Sequence, residues 1–295
     1  MQFVEQDLKG TKNRGVNLLT LALTLLGFLV GNFVTIFLVT TFNIELFSET
    51  QTTDSNLILV LLLIPFIFVL AALMLCIKYL HKRPVLSLFT SREKFDWKRF
   101  FISFTVMGIA LAGFLFYSFS AGADIEWNFE SSTFIPLLLV SFLILPMQTA
   151  AEDALFRGFL FQSFGRFFKH AGLSILITGI LFGLLHAGNP EVAKIGCGLL
   201  AYYISSGIFL GIMTHMDDGM ELGMGYHAVN NIFAAVILTN NWQAFQTDAL
   251  LIDNSPPQFG WESILTLLIL QPLLLLLFAR IYKWKNWKKK LINSL

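Results

Sequence analysis

Charged residues are scarce in this chain. Only 13% of its 295 residues are Asp, Glu, Lys or Arg, whereas 56% are hydrophobic. A soluble domain carries about a quarter charged residues, so this composition predicts an integral membrane protein. The net charge of +1 excludes the basic surface that nucleic-acid binding requires, and no nucleic-acid partner is expected.

Cysteines and the best-known hydrolase motifs are also scarce or absent. The two cysteines, Cys76 and Cys197, both lie in apolar segments, where free thiols usually serve as packing residues. The chain lacks the His-Glu-x-x-His helix of zinc proteases and the Gly-x-Ser-x-Gly turn of serine hydrolases. It also lacks a soluble domain, an internal repeat and a low-complexity tract. We therefore expect residues 1–295 to form one membrane domain.

Long apolar runs fill most of the chain. About 20 apolar residues cross a bilayer as a helix, and these runs lack the alternation of membrane strands. The sequence therefore predicts an all-α, polytopic membrane protein with about eight transmembrane helices. The expected spans are residues 16–42, 57–79, 100–121, 134–165, 172–188, 195–214, 222–240 and 263–281.

Lysine and arginine are absent from three expected connections, which are residues 43–56, 122–133 and 241–262. They concentrate instead at the N-terminus, in residues 78–99, after the fourth span and in the C-terminal tail. Basic residues are retained on the cytoplasmic side of a membrane. With alternating spans, we expect a protein of a bacterial cell membrane with both termini in the cytoplasm.

The fourth and fifth spans are predicted to form an antiparallel hairpin that turns near Lys169. Pro146 should kink the fourth span, because its ring removes a backbone hydrogen bond. Glu152 lies 17 residues before Lys169, and His186 lies 17 residues after it. Because both helices rise equally per residue, these two side chains are expected at the same depth.

Three charged residues interrupt the apolar fourth span. A charge at membrane depth is costly unless it is paired or hydrated, so an intramembrane carboxylate is a candidate functional group. Asp153 and Arg157 are four residues apart on a helix and are expected to pair. Glu152 lies about 100° away around the helix and is left without a local cation, which suits a general base.

Two later spans carry polar pairs at helical spacing. Phe182 and His186 share one helix face. His227 and Asn231 are spaced in the same way. Glu152 and His186 would hold and deprotonate a water molecule. His227 and Asn231 would donate hydrogen bonds to the oxyanion that forms when this water attacks a carbonyl group.

Metal binding is the competing interpretation of the same residues. Glu152, His186 and His227 together supply one carboxylate and two imidazoles, which is a zinc-type ligand set. The sequence leaves both alternatives open. The cofactor is therefore unknown, and a divalent metal such as zinc is one candidate.

The three motifs resemble those of a known family. Glu-acidic-x-x-x-Arg, then Phe-x-x-x-His, then His-x-x-x-Asn in apolar spans is similar to the CPBP family, which includes CAAX prenyl endoproteases of the Rce type and bacteriocin-processing and self-immunity proteins. The matching residues, in a core of residues 148–235, are Glu152, Arg157, Phe182, His186, His227 and Asn231.

The resemblance implies an eight-helix fold and an intramembrane endopeptidase. It implies that Glu152 and His186 activate water, and that His227 and Asn231 form the oxyanion hole. It also implies a peptide or protein substrate, which would be membrane-associated, besides the surrounding lipid bilayer. The chain departs from the family pattern at Asp153, where a second glutamate is usual. A shorter acid suffices there if its role is to pair with Arg157.

Two other functions compete with proteolysis. One is a non-catalytic membrane binding or bacteriocin-immunity protein of the same fold. The other is an ion-coupled or proton-coupled transporter, in which the acidic residues and histidines relay protons. A transporter would more often show internal repeats and matched broken helices, which this sequence lacks.

Three histidines outside the motifs are expected to be hydrated. His81 and His170 lie in basic stretches beside the spans. His215 is followed by Asp217 and Asp218, and this group is expected to form a solvated loop rather than a cation site.

Overall fold

The computed structural model describes residues 2–11, 13–45 and 54–292. Within these ranges, seven helices are long and apolar enough to cross a membrane. They are Gly15–Thr41, Ser55–Leu80, Trp97–Ser120, Ser131–Phe168, Ala171–Gly188, Cys197–Asp217 and Ser263–Ile281. Each coincides with an expected span to within a few residues. The prediction of an all-α polytopic membrane protein is confirmed.

The spans and their connections divide into shorter regular elements. The helices are α1 (Arg14–Thr41), α2 (Ser55–Leu75), α3 (Trp97–Ser120), α4 (Ser131–Leu143), α5 (Leu145–Asp153), α6 (Phe161–Phe168), α7 (Ala171–Leu185), α8 (Pro190–Ile195), α9 (Cys197–Asp217), α10 (Glu221–Val236), α11 (Trp261–Leu265), α12 (Gln271–Ile281) and α13 (Trp287–Ile292). The strands are β1 (Ile125–Trp127), β2 (Leu238–Thr239) and β3 (Leu251–Asp253). They form a small sheet in the order β1-β3-β2, in which β3 pairs antiparallel with β1 and parallel with β2.

The expected span at residues 222–240 is the 16-residue helix α10, which β2 follows. A helix of this length rises about 24 Å, which is less than the hydrocarbon core of about 30 Å. It packs against α3 and α5 inside the bundle. Gly225 permits a close approach to α3, because a Cβ atom there would collide with the backbone oxygen of Phe100. This packing buries His227 within the protein.

The fourth span is interrupted twice. Helix α4 ends at Leu143 and α5 begins at Leu145, so the span is interrupted at Ile144, two residues before Pro146, where the kink was predicted. After α5, the backbone widens into a π-helix over Ala154–Leu160 before α6 resumes ordinary geometry. Such π segments are frequent at functional sites, and this one carries Arg157.

The hairpin turns at the predicted position. Lys169 has a left-handed backbone with φ of 52°, and the ring of His170 caps α7 by accepting a hydrogen bond from the Leu173 N–H. Helix α7 then packs closely on α9, where a Cβ atom at Gly183 would collide with Ile204. This packing brings α9 against the end of α7 that carries the second motif.

The basic ends of the helices are covered by the two ends of the chain. Residues Phe3–Lys9 form a 3-10 helix that packs against α6. Arg166 of α6 donates a hydrogen bond of 3.1 Å to the buried carboxylate of Asp7 in this segment. At the other end of the chain, α13 packs against α7, and Lys290 pairs with Asp218 at 2.8 Å.

This covering contradicts two of the predictions for histidines. His81 is completely buried, with Nε2 at 2.9 Å from the Thr20 hydroxyl and Nδ1 at 3.9 Å from Asp7. His215 is also completely buried, in the last turn of α9 rather than in a loop, with Nε2 at 3.0 Å from the carbonyl oxygen of Lys290. Both predictions were wrong because distant chain ends fold back over these positions.

Acidification is expected to destabilise the packing around His81. Burial, and then the positive charge of Arg83, lowers the pKa of His81 from 6.5 to about 4. Between these two values the unfolded chain binds a proton that the folded protein does not, so the free energy of unfolding falls as the pH drops through this window. Each pKa unit corresponds to about 1.4 kcal/mol, so the loss across the whole window should be on the order of 3 kcal/mol.

Thermal unfolding in detergent between about pH 7.5 and pH 4.5 measures this effect. His81→Gln removes the titrating ring and should flatten the pH dependence. His170→Gln is the control, because His170 is only partly buried. Equal pH dependence in the two variants would contradict the prediction.

Candidate active site

A cavity of about 710 Å³ lies among α1, α2, α5, α7, α9 and α10. Most of its lining is apolar. The polar lining includes Glu152, His186, His227 and Asn231. The fold thus places the four predicted catalytic residues, which come from three separate stretches of sequence, on the wall of one cavity.

Asp153 makes contacts in two directions from the end of α5. Its Oδ1 atom accepts a hydrogen bond of 3.0 Å from Arg157, and its Oδ2 atom lies 3.3 Å from Nδ1 of His227. The predicted pair of Asp153 and Arg157 is therefore present, with each residue only 2% exposed. The Arg157 guanidinium also lies over the ring of Phe182, at 3.8 Å from its centroid. This buried pair joins α5, the π-helix, α7 and α10.

His227 lies between two carboxylates. Its Nδ1 atom faces Asp153, and its Nε2 atom is 3.4 Å from Oε2 of Glu152. The second distance exceeds the usual hydrogen-bond range of about 2.7–3.2 Å. The Glu152 side chain is 15% exposed and lines the cavity, whereas that of Asp153 is 3% exposed. Glu152 is therefore the acid of this pair that a bound substrate can reach.

The orientation of His186 fixes the tautomer of its neutral ring. Its Nδ1 atom is 2.8 Å from the backbone carbonyl oxygen of Phe182. A carbonyl oxygen can only accept a hydrogen bond, so Nδ1 must carry the proton. The neutral ring then has its lone pair on Nε2, which can accept a proton. Stacking on Tyr203, with ring centroids 4.2 Å apart, holds the plane of the imidazole.

Asn231 is held by Gln148. The Nδ2 atom of Asn231 donates a hydrogen bond of 3.0 Å to Oε1 of Gln148. An amide nitrogen carries two hydrogens, so Asn231 keeps one donor after this contact. Gln148 lies one helical turn before Glu152 on α5, and that spacing is the sequence signal by which its role might be recognised.

Comparisons with known proteins identify the family of this chain. A family model described as type II CAAX prenyl endopeptidase Rce1-like matches residues 131–233. The chain is also 30% identical over 230 residues to the uncharacterized protein YyaK of Bacillus subtilis (strain 168), an alignment that covers 76% of this chain and 74% of that protein. The chain belongs to the Rce1-like family. No solved structure matches it.

Membership of the Rce1-like family supports a CAAX-type intramembrane protease at the level of the family. The family match and the seven apolar helices together identify an integral membrane protein. A protease family implies a peptide or protein substrate. It implies no nucleic-acid partner, as the net charge also indicates.

The Rce1-like cavity has further polar residues that the sequence did not single out. Tyr203 donates a hydrogen bond of 2.7 Å to Glu191, and Asn189 donates one of 2.9 Å to the same carboxylate oxygen. Glu191 lies in a connection, where a carboxylate is ordinarily hydrated. Its position five residues after His186 is the one sequence feature that indicates a role.

The donor groups of this Rce1-like site do not fit a metal ion. Among the residues that the structure describes, no group of three or more His, Cys, Asp and Glu side chains has the arrangement of a metal site. The expected ligand set of Glu152, His186 and His227 lines the cavity without converging on one point. His227 instead faces two carboxylates, and His186 directs Nδ1 to its own backbone.

The buried pair in this Rce1-like protein should be strongly coupled. Asp153→Leu or Arg157→Met alone leaves an unpaired charge at a site 2% exposed, which should cost about 3–5 kcal/mol of unfolding free energy. The double variant should lose clearly less than the sum of the two. Thermal unfolding of the four proteins of this cycle measures the coupling.

Lys290→Met provides the comparison for the double-mutant cycle. Its ion pair with Asp218 joins side chains that are 20% and 36% exposed, and such pairs contribute about 1 kcal/mol or less. Additive losses at Asp153 and Arg157, similar in size to the loss at Lys290, would show that the buried pair is not an essential contact.

Proposed function

We propose that this protein is an intramembrane endopeptidase that hydrolyses a peptide bond with an activated water molecule. One observation carries the proposal: two hydrogen-bond acceptors and two hydrogen-bond donors face the same cavity. The acceptors are the Glu152 carboxylate and Nε2 of His186. The donors are the side chains of His227 and Asn231.

Water activation follows from the two acceptors. A water molecule has two O–H bonds, and it donates one to Glu152 and the other to Nε2 of His186. Its oxygen then attacks the carbonyl carbon of the substrate while Glu152 takes a proton. The C–N bond breaks in the second step, and the same proton passes to the leaving nitrogen. Water is consumed, and a carboxyl and an amino group are formed.

The donors stabilise the intermediate. The second Nδ2 hydrogen of Asn231 is free for the oxyanion, because Gln148 accepts only the first. Nδ1 of His227 faces Asp153 and Nε2 lies 3.4 Å from Glu152, so the donor that His227 offers to the oxyanion is Nε2–H, which requires a proton on that nitrogen. Loss of one such donor typically costs about 10²–10³ in rate. No step of this mechanism uses a metal ion, because the described His, Cys, Asp and Glu side chains do not form a set of metal ligands.

We also infer that both termini lie in the cytoplasm. The basic residues of this chain cluster at its termini and in residues 78–99, and the connections that contain β1 and β3 have none. The catalytic residues then lie inside the bilayer. A substrate reaches them through the cavity, whose walls include exposed apolar side chains such as Leu25 and Leu185.

The first test replaces Glu152 by Gln. The variant keeps the size and hydrogen-bonding capacity of the side chain but removes the base, so cleavage should fall at least about a hundredfold while the fold persists. The measurement is cleavage of a peptide library by purified protein in nanodiscs, with thermal unfolding as the check on folding. Glu126→Gln, on the exposed edge of β1, is the matched control and should leave cleavage unchanged.

Three outcomes would change the proposal. Undiminished cleavage by Glu152→Gln would remove Glu152 from the mechanism. Loss of cleavage in the presence of a chelator would restore the metal interpretation, whereas we expect no change. A folded parent protein that cleaves nothing would favour the binding or immunity function.

A further inference from the structure

A second carboxylate lines the same cavity. Glu191, in the first turn of α8, is 7% exposed. Its Oε1 atom accepts hydrogen bonds from the Tyr203 hydroxyl at 2.7 Å and from the Asn189 amide at 2.9 Å. Its Oε2 atom is buried and has no hydrogen-bond partner among the described residues. Burying a carboxylate oxygen without a partner is costly, so this atom has an unmet requirement for a donor or a cation.

Nothing in the cavity lining satisfies that requirement. The lining, as far as the structure describes the chain, contains no lysine and no arginine. Its two acidic residues are Glu152 and Glu191. Among the described ion pairs, Arg157 pairs with Asp153, next to Glu152, but no cation pairs with Glu191. The cavity therefore presents a carboxylate that lacks a positive partner in a mostly apolar surrounding, where a charge-assisted contact is stronger than in water.

Glu191 is also connected to the catalytic residues. The face of Tyr203 stacks on His186 at 4.2 Å, and its hydroxyl binds Glu191. A group held at Glu191 is thus separated from the imidazole of His186 by a single aromatic ring. Because Tyr203 and Asn189 both donate to Oε1, the second oxygen remains for a donor that arrives with the substrate.

We propose that Glu191 is a specificity residue that binds a positively charged side chain, lysine or arginine, of the peptide substrate near the bond that is cleaved. The proposal rests on the proposed function, since it assigns part of that substrate. A lysine ammonium group supplies three donors and an arginine supplies a planar pair, and either could satisfy the buried Oε2 atom once a shift of the Glu191 side chain turns it toward the cavity. The rest of the lining accepts the apolar part of a membrane-associated peptide.

The test measures binding, so that it does not depend on catalysis. The probe is a fluorescein-labelled peptide of alternating leucine and alanine with one central lysine, and its partner probe has norleucine in that position. Both are titrated against the Glu152→Gln protein in nanodiscs, with and without the further change Glu191→Gln. We expect the lysine peptide to bind at least about tenfold more tightly than the norleucine peptide, and this ratio to fall to about 1 with Glu191→Gln.

Two further variants separate specificity from structure. Glu191→Gln removes the charge but retains an oxygen that can accept a hydrogen bond from Tyr203. Tyr203→Phe removes that hydrogen bond but keeps the carboxylate, so the lysine preference should survive in this variant. Glu191→Lys should reverse the preference toward a matched peptide with a central glutamate. Cleavage by the parent protein should favour lysine or arginine at one fixed position relative to the broken bond.

The outcomes are distinct. The proposal is overturned if the lysine peptide is not preferred while Glu191 is intact. It is also overturned if the preference persists in Glu191→Gln. Equal weakening of both peptides in Glu191→Gln also overturns it, because that result indicates only a structural role. A preference that depends on Glu191, together with a folded parent protein that cleaves nothing, would sustain the subsite and favour the binding function over the endopeptidase.

Discussion

A charge inside an apolar helix bundle must have a partner, and the core of this protein is arranged around one such partnership. Arg157 and Asp153 are buried together on adjacent turns, one on a π-helix and the other at the end of α5. The pair also contacts Phe182 through the guanidinium and His227 through the carboxylate. The three sequence motifs are thus held to one another by contacts of this pair, which lies directly behind the cavity lining.

The position of Asp153 shows which contacts the shorter acid makes at a site where the family usually has a second glutamate. One oxygen reaches Arg157 at 3.0 Å and the other reaches His227 at 3.3 Å. The close packing of α10 on α3 and α5 brings the imidazole to the carboxylate, so a longer side chain is not required. The two adjacent acids differ in exposure. Asp153 is buried against Arg157 and His227, whereas Glu152 lines the cavity.

Much of the fold could be predicted because its causes are local. Apolar length predicted the spans, Pro146 the interruption of the fourth span, and Lys169 the turn of the hairpin whose two sides carry Glu152 and His186. Contacts between distant segments had no such signal. The burial of His81 and His215 depends on chain ends that fold back, and the link from His186 through Tyr203 to Glu191 depends on how α7 packs on α9. A single sequence contains the periodicity of each helix but not its rotation against its neighbours.

Buried polar contacts also hold the end of the fourth span near the turn at Lys169. Gln162 is fully buried, and it accepts a hydrogen bond from Arg83 and donates one to the backbone of Ser87. Helix α6 is therefore joined to the connection between the second and third spans by hydrogen bonds as well as by apolar packing.

Both ends of the chain meet at one carboxylate. Asp218 accepts a hydrogen bond from the backbone N–H of Phe3 through Oδ1 and pairs with Lys290 through Oδ2. The contacts of the 3-10 helix Phe3–Lys9 with Arg166 and Asp218 join residues that are 159 and 215 positions apart in the sequence. They can form only after the intervening chain has been synthesised, so the place of this helix depends on segments made much later than itself.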